Sequence, residues 1–80
     1  MPATAQIIYQ PYMTGARGTL KPGMPVACRT AEEGIRRAEN ALAGGSIVGA
    51  RIVRVLHDND ADEFGDPEYL TELGRVPDQA

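Results

Sequence analysis

Residues 30–57 read TAEEGIRRAENALAGGSIVGARIVRVLH, and within them the apolar pattern changes from a helical to an extended repeat. In the first half Ala31, Ile35, Ala38 and Leu42 recur at spacings of four, three and four, which places them on one helix face. Thr30 is positioned to cap that helix. Glu33, three residues on, completes a capping box in which each side chain satisfies an amide left open at the helix start. Glu32 and Glu33 also meet the positive end of the helix dipole, and Glu32 with Arg36 and Glu33 with Arg37 form i,i+4 pairs on the wet side. Gly44 supplies a left-handed stop. An interior glycine, Gly34, costs about 1 kcal/mol against alanine, so its presence implies close backbone packing at that turn.

The second half is too rich in Ile and Val for a good helix and predicts the longest, most buried strand over residues 46–56. Val48, Ala50, Ile52 and Leu56 share one face of it; Ile47, Val53 and Val55 share the other. Both faces therefore need cover.

Working outward, AQIIYQPYM (residues 5–13) reads as a first strand, with Ile7, Ile8, Tyr9 and Tyr12 suited to a half-buried pleated surface. Pro11 cannot donate to a ladder, so this strand is expected at an edge or with its pairing cut short. TGARGTLKPGMPVAC is a loop, with a short extended piece around Met24 to Cys28. The last segment, DPEYLTELGRVP, reads two ways. Asp66 as cap, Pro67 at the first helical position and Gly74 as terminator spell a two-turn helix. Tyr69, Thr71 and Leu73 alternate as a strand would, and a strand here forms a hairpin with residues 46–56.

The fold class is thus α+β: one amphipathic helix packed on a small, mainly antiparallel sheet, in the order strand, loop, helix, strand, then a short helix or strand. Residues 1–76 form a single domain and residues 77–80 a disordered tail. The succession IIYQPY, TAEEGIRRAENAL, IVGARIVRV and YLTELGRVP, with its terminal Gly-x-Val-Pro, resembles a group of small bacterial proteins of uncharacterised function. That resemblance implies a bacterial source and brings no activity and no functional residue.

Eighty residues bury only about 60 to 65% of the surface of the unfolded chain, so the core is small. Ile, Leu, Val and Phe number 16, the lower edge for a globular domain, because 11 of the apolar residues are alanine. Stability is marginal or assisted by a partner. With one cysteine, Cys28, there is no disulfide framework and no zinc cluster. The N-terminus lacks a basic leader, and no apolar run approaches a membrane span, so a soluble, cytoplasmic protein is expected. A net charge of −3 argues against nucleic acid. It also conceals a gradient: residues 1–56 carry +4 and residues 57–80 carry −7, so the two parts attract, within one molecule or between two.

Asp58, Asp60 and Asp62 alternate as the first three ligands of a calcium loop do. Position 6 is Glu63 in place of glycine, Gly65 falls at position 8, and position 12 is Tyr69 in place of a clamping glutamate. The stretch 58–66 is therefore read as a solvated acidic loop, with no metal ligand and no cofactor assigned. Cys28 stands two residues before the helix cap, where Arg29 and the helix start could lower its pKa, but a thiol-phosphatase pattern needs arginine where Gly34 stands, so the residue is read as a small buried or half-buried thiol at the end of a loop. His57 is not brought near it by the sequence. Arg17 in GARG lacks the helix that would aim amides at an anion. Arg36, Arg37, Arg51 and Arg54 offer a basic patch, or pair with the acidic C-terminal segment. No catalytic residue is assigned. The reading is a small non-enzymatic binding or assembly module acting through protein contacts, including a homodimer burying Ile47, Val53 and Val55. The alternative is a small enzyme using Cys28 or a divalent cation held by the acidic loop.

Overall fold

The computed structural model describes residues 4–58 and 63–77. Its strands are β1 (Thr4–Thr14), β2 (Leu20–Pro22), β3 (Val26–Cys28), β4 (Gly49–Asp58), β5 (Glu63–Phe64) and β6 (Glu68–Gly74), with one helix, α1 (Ala31–Gly44). Every recorded pairing is antiparallel. β1 and β4 form the centre; β3 and β2 share the outer edge of β1, and β5 and β6 share the outer edge of β4. Six segments thus occupy four strand positions, with α1 on one face. The fold is α+β.

The helix forms where its local signals place it. Thr30 is extended at φ −139°, and its Oγ1 accepts from the Glu33 amide at 3.1 Å. Glu33 reaches back one residue further than a reciprocal box requires, its Oε1 accepting from the Arg29 amide at 3.1 Å. Of the two i,i+4 pairs, Glu33 and Arg37 close to 3.7 Å. The left-handed residue is Gly45, at φ +80°, one position after the expected Gly44, and its amide reaches the Leu42 carbonyl while the Ser46 amide reaches that of Ala41. Ala31, Ile35, Ala38 and Leu42 all meet the core, where Tyr9, Ala38, Ile47, Ala50 and Ile52 are buried. Gly34 is the point of closest approach: a Cβ there would lie 3.1 Å from Ile52 Cδ1 and 3.7 Å from Cys28 Sγ.

One open alternative is decided, one expectation is met in its second form, and one changes. The segment 67–73 is a strand, so Asp66 and Pro67 start no helix. β6 pairs with β4 from Gly49 opposite Gly74 to Arg54 opposite Glu68, with a bulge between Ile52 and Val53. Pro11 lies in a central strand, because its carbonyl accepts from the Gly23 amide at 2.9 Å and its missing N–H faces the same way, into the break between β2 and β3. Gln10 Nε2 bridges that break, donating to the Pro11 and Gly23 carbonyls at 2.9 Å each. Ile47 joins the helix-side core, since β4 begins only at Gly49 and its alternation does not extend back to residue 47.

Candidate protein-binding face

Antiparallel register fixes which side chains share a face. On the side away from α1, Ala27, Ile8, Val53 and Tyr69 stand opposite one another in turn, one from each strand position. Val55 stands two residues further along β4 on the same side. Val53 is buried by its neighbours, Ile8 and Val55 are half-buried, and Tyr69 is 45% exposed. This apolar row is the part of the sheet that the single helix leaves uncovered.

The next row toward Gly49 is polar: Gln10, Arg51 and Glu72 are cross-strand neighbours. Arg51 is only 8% exposed. Its guanidinium carbon lies 5.7 Å from the Tyr12 ring centre and 5.0 Å from that of Tyr69, diagonal neighbours on either side. Nε donates to Glu72 Oε2 at 2.9 Å, and an Nη2 hydrogen reaches the Pro77 carbonyl at 2.7 Å. The charge is thus fully committed, between two π faces and two oxygen acceptors, which is how a buried arginine avoids a large desolvation cost. Arg54 pairs with Glu68 through Nη2 at 2.6 Å and Nε at 3.0 Å, at an exposed position. Two of the pairs between the basic body and the acidic C-terminal segment thus form within one chain.

The C-terminal segment reaches Arg51 by crossing the sheet. Gly74, at φ +66°, turns the chain off β6, and the Arg75 amide donates to the Val48 carbonyl at 2.9 Å. A side chain on Gly49 would fall on the backbone of Arg75, and one on Gly74 would fall on the Val48 carbonyl. Two facing glycines thus let main chain lie against main chain. Val76 and Pro77 follow, half-buried, so Pro77 is docked where a disordered tail was expected; residues 78–80 lie outside the described residues.

The other sequence candidates disperse. Cys28 is half-buried on the helix side beneath Gly34, and its Sγ hydrogen points to the Val26 carbonyl at 3.8 Å. Burial pushes its pKa up, Glu33 adds to this, and Arg37 opposes it, so the thiol is held protonated, as the reading of a half-buried thiol at the end of a loop expects. His57 lies three residues beyond Arg54, the neighbour of Ile7, and alternation turns it to the opposite face from Cys28. The two form no pair. Arg36 and Arg37 stand on the helix, across the sheet from Arg51, so the four arginines make no single patch. Arg17 occupies an exposed single turn at φ 57°. Asp60 and Asp62 lie outside the described residues; the backbone of Asp58 pairs with that of Glu63. Among the described residues no cluster of three metal-ligating side chains forms, and no helix is long and apolar enough to cross a membrane.

Arg51 was legible as an anomaly, a charge inside an apolar strand. Tyr12 and Tyr69 were not, because only register brings them to it. No family model, curated protein or solved structure matches this chain.

Proposed function

We propose that this protein is a small non-enzymatic binding module that acts in the cytoplasm through protein contacts on its helix-free sheet face. The observation that carries the reading is the apolar row Ala27, Ile8, Val53 and Tyr69, which runs across the whole sheet and continues at Val55 with no helix over it. Tyr69 and the half-buried Ile8 and Val55 give a partner an apolar strip to dock on. Arg51 and Glu72 border the row and neutralise each other, so a partner meets no unpaired charge there.

Assembly with a second copy is the simplest form of this reading. The nine paired positions of β1 and β4, at about 3.3 Å each, and four strand positions about 4.8 Å apart give roughly 570 Å² of sheet face per copy, of which residues 75–77 cross about half. Two open halves bury about 570 Å², far below a standard stable interface, so a homodimer made this way is weak and reversible. Its apolar contacts are Ile8, Val53, Val55 and Tyr69; Ile47 takes no part.

The test compares capture and self-association for the wild type, Ile8→Lys, Val55→Asp and the control Met24→Ser, which alters an exposed residue in the break between β2 and β3. A captured protein, or a concentration-dependent mass in light scattering, that survives Met24→Ser and disappears in both face variants supports the reading. Capture unaffected by Ile8→Lys and Val55→Asp, or a mass fixed at 8.6 kDa with nothing captured, rejects it.

A further inference from the structure

The half of the helix-free face nearest Gly49 is not empty. It is crossed by the chain's own residues Arg75, Val76 and Pro77, held at two polar points: the Arg75 amide on the Val48 carbonyl at 2.9 Å, and the Pro77 carbonyl on Arg51 at 2.7 Å. The Val48 carbonyl, just before β4, makes the next rung in register after Gly49 and Gly74, and from that rung the chain leaves the sheet. Gly49 omits the side chain that would fill the crossing point. Arg51 is buried, clamped by Tyr12, Tyr69 and Glu72, and presents a remaining N–H to a main-chain carbonyl. Together they form a receptor for a short extended peptide: a main-chain acceptor, a glycine gap and a fixed cationic donor in succession.

We propose that Arg75–Pro77 is an internal ligand of this receptor, a strap closed over the helix-free face, and that the face's partner is an extended segment of another protein that takes the strap's place with its own carbonyl on Arg51. The proposal rests on the binding reading above and adds to it the chemistry of the partner. The strap itself shows the fit, since the groups that hold it recognise main chain and small apolar side chains, which another chain supplies equally well. Its hold is light: Val76 and Pro77 are only half-buried, and Arg75 is exposed. Segments with few buried contacts open at low cost, so the strap is suited to exchange.

The experiment uses the full chain and a synthetic peptide of residues 74–80, GRVPDQA, acetylated at its N-terminus. In the wild type the strap competes in cis. In the double variant Val76→Asp with Pro77→Gly the receptor is untouched and the strap is weakened. If the strap is closed nine-tenths of the time, the variant binds the peptide about tenfold more tightly, read from the side-chain resonances of Tyr12, Arg51 and Tyr69. Adding Arg51→Gln to the double variant abolishes the binding, and a scrambled peptide shifts nothing. Independently of any peptide, Arg75 is the only lysine or arginine after Arg54, so trypsin cleavage after it reports strap opening. Cleavage should be about tenfold faster in Arg51→Gln than in the wild type, as the open fraction rises from a tenth toward one. Equal peptide affinity in wild type and double variant, no saturable binding in either, or equal cleavage rates overturns the strap. Peptide binding with no partner lost in Ile8→Lys or Val55→Asp supports the receptor and removes the wider face reading. Partner capture without peptide binding removes the receptor and leaves that reading standing.

Discussion

Gly34→Ala sets two effects of known size against each other. An alanine inside α1 gains about 1 kcal/mol of helix propensity over glycine. Its Cβ, however, would stand 3.1 Å from Ile52 Cδ1, 3.5 Å from Ile52 Cγ2 and 3.7 Å from Cys28 Sγ. Carbon atoms rest at about 3.5–4.0 Å, so Cδ1 must retreat by about half an ångström. Cδ1 is the far end of its side chain, but Ile52 has no exposed surface and is enclosed by Tyr9, Ala38 and Ala50. Forcing a methyl group into such a core costs about 1–3 kcal/mol. The net expectation is a loss of about 0–2 kcal/mol, seen in urea unfolding as a lower midpoint at unchanged slope. Ile52→Val removes Cδ1 at a cost of about 0.5–1.5 kcal/mol by itself. In that background Gly34→Ala no longer meets the methyl group and should stabilise by up to about 1 kcal/mol, so the two substitutions couple by about 1–3 kcal/mol. A Gly34→Ala gain of about 1 kcal/mol in both backgrounds, with no coupling, would refute the close approach of helix and strand.

Thr30→Ala removes the acceptor of the Glu33 amide and should cost about 1 kcal/mol, lowering the melting temperature by several degrees in circular dichroism. Arg51→Ala should cost about 2–4 kcal/mol in urea unfolding, since a buried charge loses two hydrogen bonds and two ring contacts. Arg54→Ala, whose pair with Glu68 is exposed, should cost less than about 1 kcal/mol in the same assay, and a larger loss would show that the exposed pair is undervalued. Burial raises the pKa of both Cys28 and Tyr9 above their ordinary values, so above about pH 8.5 the unfolded chain releases protons that the folded chain keeps. Stability should hold at neutral pH and fall as pH rises through the alkaline range. Melting curves from pH 7 to pH 10.5 check this, and Cys28→Ala should delay the onset of the fall.

The helix was legible because its determinants are local. A hydroxyl three residues from a backbone amide, apolar residues at spacings of four, three and four, and a glycine after the last turn act within one segment. Gly34 announced a close approach for the same reason, its cost being intrinsic to the helix. Sequence also offered Arg51 and Arg54 two fates, a basic patch or pairing with the acidic C-terminal segment, since the charge asymmetry is a property of composition. It did not determine which partners, because Arg51 meets Glu72 and Arg54 meets Glu68 only through the β4–β6 register. In residues 66–74 local signals for a helix start and alternation for a strand were both present. The open edge of β4 decided between them, since its unpaired amides and carbonyls are satisfied by a neighbouring strand and not by a helix. Pro11 was read as marking an edge or a break in pairing, because a missing donor is harmless only where no neighbour needs it, and the break between β2 and β3 provides such a place inside the sheet. Gly49 and Gly74 read as a strand residue and a terminator until tertiary structure set them face to face with the Arg75 backbone between strand and solvent. Contacts made by neighbours in sequence can be read from the sequence. Those made across a sheet depend on register, which side-chain alternation narrows and only the packed chain fixes.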